Sequence, residues 1–234
     1  MNQTLSERII SQHTDQPVSA GDIAIVDVDA VMATDATAPF ALKAFKEMGG
    51  DKVWNKDKTF LIIDHASPAP NERVANLHKL MRDFAREQSI KLYDVGAGIC
   101  HQLMVENEHV KPGDLFLGAD SHTPTYGALG AFAVGVGSTD LAGVLRTGKT
   151  WLKVPQTVLF TLNGKLTKGV SSKDTILFLI RKMGVEGAVY EAIEFNGTAV
   201  ESMTLASRMV LTNMVAEMGA KTGLVDTKGL SLPY

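Results

Sequence analysis

Only one cysteine, Cys100, stands in 234 residues. That excludes a disulfide framework within the chain, and any metal or iron–sulfur site built from several of its own thiolates. A free cysteine is usually a small buried filler, and Cys100 is read so. A reducing compartment, the cytoplasm, fits. Charge of one sign is also missing. Lys and Arg number 23, Asp and Glu 26, and the formal net charge is -3, so no basic footprint for nucleic acid is expected. No apolar run approaches the roughly 18 residues of a membrane span. The opening MNQTLSERIISQHTDQ is polar throughout and is no secretory signal. Solenoid repeats and low-complexity segments are absent too. What remains is ordinary globular composition, 45% hydrophobic and 21% charged. A chain of this length can bury a core without staples, as one large domain or one domain with a smaller neighbour.

Short apolar runs alternate with helical patterns. AIVDVDAVM (24–32) reads as strand and turn, TFLIID (59–64) and DLFLGAD (114–120) as buried strands, and QTVLFTLNG (156–164) as a strand ending in an Asn-Gly turn. PFALKAFKEMGG (39–50) reads as a helix with Pro39 in its first turn and Gly49-Gly50 as its stop. Asn71 to Gln88 reads as an amphipathic helix, with Val74, Leu77, Leu80, Met81 and Phe84 at helical spacing. Helices are expected near 127–136, 139–147, 173–183 and 202–218, and a strand near 192–196. The alternation predicts an α/β fold with a mostly parallel sheet flanked by helices. The pattern restarts near Pro155, so units 1–155 and 156–234 are expected.

Gly143 to Thr150 matches the phosphate-loop pattern G-x-x-x-x-G-K-[ST]. That loop needs a strand before it and a helix after it. Here a helix precedes and a strand follows, so Gly148 reads as a helix C-cap. A different signal is stronger. Asp64-His65 and Asp120-Ser121-His122 each sit just past a buried apolar strand. Ligands of parallel α/β sheets bind outside the carboxyl ends of strands. One such cluster is commonly a loop cap, but two on one sheet mark a shared cleft. Gly96-Ala-Gly-Ile-Cys-His101 adds a third histidine at a strand-to-helix turn. On the last helix Asn213 and Glu217 are expected on one face, among apolar neighbours. For Glu217 the pattern leaves two readings open, the edge of the stripe in water or a cleft with a histidine partner. Together these residues point to acid–base chemistry on a small polar substrate.

TDATAP (34–39), DHASPAP (64–70), GICHQ (98–102), GADSHTPTYGALGAFAVGVGSTDLA (118–142), TGKTWLKVP (147–155) and NMVAEMGAKTG (213–223) together resemble the aconitase superfamily. The similarity is nearest to the branch of 3-isopropylmalate dehydratase and homoaconitase large subunits, and spans nearly the whole chain. The resemblance implies an aconitase-like N-terminal domain plus part of a second α/β domain. It implies a hydro-lyase that isomerises a hydroxy acid by dehydration and rehydration, with a [4Fe–4S] cluster as Lewis acid in the complete enzyme. Three acid–histidine pairs are carried over: Asp64 with His65, Asp120 with His101, and Glu217 with His122. Ser121 and Asn213 match positions beside the pairs and on the cluster side. Thr34 stands where aconitase itself has a substrate-binding glutamine, which points toward the amino-acid-biosynthetic branch.

The family's cluster cysteines lie in motifs beyond Leu232-Pro233-Tyr234, and Cys100 is not at a ligand position. No cluster is therefore expected on this chain alone. The implied partners are the remaining part of the large subunit and a separate small subunit, and self-association through the face that would pack on that remaining part is expected. Isopropylmalate, homocitrate, citramalate and dimethylmalate all suit the resemblance. The rival from another class is an inactive binding or assembly module.

Overall fold

Two strands of five residues each, β2 (Ala30–Thr34) and β5 (Leu115–Ala119), are buried along their whole length in the computed structural model, which describes residues 3–227. They lie at the centre of a five-stranded sheet in the order β4-β3-β2-β5-β6, with β3 at Thr59–Ile62, β4 at Lys91–Tyr93 and β6 at Phe132–Gly135. Every pairing is parallel. A parallel sheet covered on both faces needs apolar residues at every position, which is why these segments read as continuous apolar runs.

Alternate residues serve the two faces. Val31, Ala33, Leu61, Leu117 and Val134 pack with Phe45 of helix α2 (Ala38–Glu47), Met81 and Phe84 of α3 (Glu72–Gln88), and Leu141 and Leu145 of α5 (Ser138–Thr147). Met32, Phe60, Ile62, Phe116 and Ala133 pack with Met104 of α4 (Cys100–Glu106), Tyr126 and Leu129. Before this sheet come helix α1 (Leu5–Gln12) and strand β1 (Ile23–Asp27). β1 pairs antiparallel with β7 (Lys149–Lys153), so 24–32 holds two strands of different sheets. Strands β8 (Thr157–Thr161), β9 (Ala192–Asn196) and β10 (Thr222–Val225) form a separate parallel sheet in the order β10-β9-β8. It packs on α6 (Ser172–Met183) and α8 (Leu205–Asn213), and a short α7 (Thr198–Glu201) follows β9. Residues 228–234, with the Leu232-Pro233-Tyr234 end, lie outside the described residues.

Three expectations need correction. Residues 127–136 are not one helix: a 3-10 helix spans Thr123–Leu129, and AFAVG continues as strand β6. Short apolar runs do not distinguish helix from strand, and here Gly130, at φ 75°, ends the 3-10 turns. Gly127 also lets this segment touch β10, since a Cβ there would lie 1.5 Å from the Gly223 carbonyl oxygen. Second, 202–218 is divided: α8 ends at Asn213, and Met214–Met218 is a 3-10 helix. Three residues per turn removes Asn213 and Glu217 from a common helix face. Third, the apolar positions at helical spacing on α3 are not all covered: Leu80 is 45% exposed, while His78 on the same helix is buried. The phosphate-loop match is resolved as expected. Gly148, at φ 70°, caps α5 by donating its N–H to the Val144 carbonyl, and strand β7 follows.

Candidate active site

Asp35, Asp64 and Asp120 leave the sheet within two residues of the carboxyl ends of β2, β3 and β5. These strands are neighbours, so the chain is forced to deliver all three acids to one edge. Asp35 organises the loop. Its carboxylate accepts the backbone N–H groups of Asp64 (3.1 Å), His65 (2.9 Å) and Ala66 (2.8 Å), and the Nε2 of buried His78 lies 3.4 Å away. Burial would raise its pKa, but the N–H groups of His65, Ala66 and Asp64 and the His78 contact hold it low.

The loop so fixed presents His65. Its Nδ1 lies 2.8 Å from Asp64 Oδ1 and its Nε2 lies 3.4 Å from Asp120 Oδ2. Burial opposes charge on the ring. The hydrogen bond to Asp64 and the charges of Asp64, Asp120 and Asp35 outweigh it, and the His65 pKa is raised. Asp64 also accepts the backbone N–H of Cys100 at 2.7 Å, which ties the loop to the first turn of α4.

That turn carries His101. Its Nε2 lies 2.9 Å from Asp120 Oδ1 and its Nδ1 lies 3.1 Å from the Tyr126 hydroxyl. Asp120 Oδ1 also accepts the His122 backbone N–H at 2.8 Å. Burial would raise the Asp120 pKa. The hydrogen bonds from His101 and His122 and the nearby charge of His65 overcome it and hold the carboxyl down at about 2.

His122 Nδ1 meets Ser121 Oγ at 3.2 Å, and its Nε2 meets Glu217 Oε1 at 3.3 Å across the chain. Asn213 donates to Thr125 Oγ1 at 2.8 Å, and that hydroxyl donates to the His122 carbonyl at 2.6 Å. Asn213 and Glu217 thus reach the same loop from different faces. A cavity of about 450 Å³ lies against Asp120 and Ser121, with Thr37, Gly135, Gly219 and Lys221 also in its wall. Its size suits a small polar molecule.

The structure brings Asp64, His65, His101, Asp120, Ser121, His122, Asn213 and Glu217 to one edge of the sheet. Thr34 differs. It is fully buried, and its hydroxyl faces Thr37 at 3.4 Å. Asp35, His78 and Tyr126 belong to the network, and the sequence reading passed over them. The signal for Asp35 was present: like Asp64 and Asp120, it follows a buried apolar strand.

Asp35, Asp64 and His65 are the group among the described residues whose ligand-type atoms converge, within 4.8 Å of one another. Asp35 already spends its oxygens on backbone N–H groups, which marks it as a loop anchor. Cys100 is buried, and burial, then the charge of Asp64, push its thiol well up. One protonated buried thiol does not make the donor set of an iron–sulfur cluster, which takes several thiolates. These residues therefore do not fit that group by themselves.

Histidine–carboxylate pairs at the carboxyl edge of a parallel sheet make this a candidate acid–base site in a protein of the α/β class. The sequence over residues 7–234 matches the Aconitase family (aconitate hydratase), and the chain belongs to that family. It is 45% identical over 235 residues to the 3-isopropylmalate dehydratase large subunit 1 of Methanopyrus kandleri, covering 100% of this chain and 56% of that protein. The protein of the same name from Archaeoglobus fulgidus is 48% identical, with 100% and 56% covered. That from Thermotoga maritima is 47% identical, with 97% and 54% covered. The chain spans about half the length of the curated relatives it matches.

Proposed function

We propose that this chain supplies the acid–histidine half of a hydro-lyase of the 3-isopropylmalate dehydratase type. The observation that carries the reading is His65 suspended between Asp64 and Asp120, with its pKa raised. Both ring nitrogens face carboxylates, which accept only, so the ring is favoured as an imidazolium with two N–H donors. In dehydration a C–O bond breaks, the departing hydroxyl takes a proton and leaves as water, and the neighbouring carbon loses a proton to a base, which this reading assigns to the rest of the enzyme. His65 can give the first proton. Its Nε2 contact to Asp120 is long enough to be exchanged for a substrate hydroxyl, and Asp120 stays ionised to stabilise the charge. His122, held by Glu217 and Ser121, lies in the same network and orders the departing water. The substrate class is a small hydroxy acid, as the relatives' names indicate.

The rest of the large subunit, the small subunit and a [4Fe–4S] cluster complete this proposal, the cluster held by thiolates this chain does not supply. A division at Pro155 belongs to it as well, supported by the separate hydrogen bonding of the two parallel sheets. Ile23, Ile25 and Trp151 expose an apolar strip on the β1–β7 ribbon, which supports self-association of the isolated chain. Among the described residues no helix is long and apolar enough to cross a membrane.

The test is reconstitution. The chain is mixed with the complementary part of the large subunit, the small subunit, iron and sulfide, and turnover of isopropylmalate is followed. Activity that falls about 10²–10⁴-fold with Asp120→Asn supports the reading. Full activity in that variant, or none in the wild-type mixture, overturns it.

A further inference from the structure

Tyr126 lies in the 3-10 helix after β5 and is fully buried. Its ring stands edge-on to Phe116, with centroids 4.7 Å apart, and to His101, at 5.6 Å. These contacts leave the phenol no freedom to swing. Its hydroxyl has one hydrogen-bond partner among the described residues, His101 Nδ1 at 3.1 Å. We propose that Tyr126 is a positioning residue: its hydroxyl donates to Nδ1 of His101 and locks the neutral ring in the Nε2–H form that holds Asp120.

The argument is one of donors and acceptors. An ionised carboxylate only accepts, so the 2.9 Å contact between Asp120 Oδ1 and His101 Nε2 requires the proton on Nε2. The other nitrogen of the neutral ring is then a bare acceptor, 3.1 Å from the Tyr126 oxygen. Burial pushes the Tyr126 phenol far above its ordinary range, so it keeps its proton and remains a donor. With both ring nitrogens taken, His101 has none left for substrate. Its task is to fix Oδ1 of Asp120, which leaves Oδ2 facing His65. Tyr126 therefore acts on the acid–base site through two intermediaries and touches no reacting atom.

This deepens the acid–base reading and rests on it, but its test needs no turnover. Imidazole nitrogen resonances of the isotopically labelled 234-residue chain are recorded by long-range nitrogen–proton correlation. The pH is set well above about 6.5, where a free imidazole is neutral. His101 is assigned by its loss in His101→Gln. The expected result is the Nε2–H form, with Nδ1 shifted upfield of a free imine nitrogen by the phenol donor. Tyr126→Phe keeps the ring and removes the hydroxyl, and should return Nδ1 to the free-imine position. An Nδ1–H form in the wild-type chain overturns the proposal without any variant, so it stays exposed even where Tyr126→Phe fails to fold. An Nδ1 resonance unmoved by a folded Tyr126→Phe overturns it equally. An inactive reconstituted enzyme would remove the hydro-lyase reading and leave this one standing.

Discussion

His65 Nε2 lies 3.4 Å from Asp120 Oδ2, while the other oxygen of that carboxylate takes His101 Nε2 at 2.9 Å. Two of the three expected pairs are therefore one chain of contacts running Asp64, His65, Asp120, His101, Tyr126. The third joins it through the His122 backbone N–H on Asp120. Groups that share a partner do not respond independently, so double substitutions across this network should depart from additivity.

His65 gives the first prediction. Its folded-state pKa is raised, so the native chain holds the proton more tightly than the unfolded one. The resulting stability is fully present below the unfolded value, near 6.5, and is lost as pH climbs through the raised value. Asp64→Asn removes the closest carboxylate. The His65 titration, followed by proton NMR, should move down toward about 6.5. The fall in stability across that window should flatten in parallel. An unmoved His65 titration in a folded variant would show that Asp64 is not the group holding the proton.

Asp64 and Asp120 were legible in the sequence because each ends an unbroken apolar run, and such runs belong to strands buried on both faces. Parallel neighbours then bring their ends together. Asp35 was equally readable by that rule, but it sits inside TDATAP, where its acid looks like part of a turn. The Glu217–His122 contact was not readable from pattern. It joins residues 95 apart, and the helix expected to carry Glu217 changes to 3-10 geometry at Met214. Only the family resemblance placed it. Tyr126 lay hidden for another reason: a buried aromatic beside Gly127 reads as core, and its hydrogen bond to His101 is what separates it from Phe116. Strand β6 was misread because AFAVG is too short for its periodicity to decide between helix and strand.

Asp35 should matter more for the loop than for the chemistry. Its carboxylate satisfies three successive backbone N–H groups, of Asp64, His65 and Ala66. Asp35→Ala leaves those donors in a half-buried loop without an acceptor. Buried donors left unpaired cost about 1–3 kcal/mol each, and a bond to a charged group contributes about as much. The variant should lose about 3 kcal/mol or more in urea unfolding, with faster amide exchange at 64–66. A melt within about 0.5 kcal/mol of wild type, the range of a neutral surface change, would refute the anchoring role.

Metal content follows from the thiol count. The chain holds one cysteine, and that one is 1% exposed. A [4Fe–4S] cluster takes several thiolate ligands. The chain purified alone should be colourless, with iron and sulfide far below stoichiometric. A brown product carrying near one cluster per chain would contradict this and direct attention to a cluster shared between chains through Cys100.

Arg208 is a stability liability, and removing it should help. It is 1% exposed, yet among the described residues only its Nη2 has a hydrogen bond, to the Glu201 carbonyl at 3.1 Å. Nε and Nη1 are buried without a hydrogen-bond partner among the described residues. Burial works against the charge, and the charges of Glu201 and Asp226 only partly answer it, so the guanidinium pKa is lowered. A buried ion paired this poorly does not recover its lost hydration. Methionine fills a similar volume with an unbranched, adaptable chain, and Phe195, Val200 and Val225 line the adjoining cavity to receive it. Replacing buried charge by a well-packed apolar group is neutral or stabilising by about 1–4 kcal/mol. Arg208→Met should therefore raise the urea midpoint without changing the slope, while Arg208→Lys, a more strongly hydrated ion in the same place, should lower it. A loss of about 2 kcal/mol or more in Arg208→Met would mean that the guanidinium is paired in solution by water, and that the charge is held at a profit to the fold.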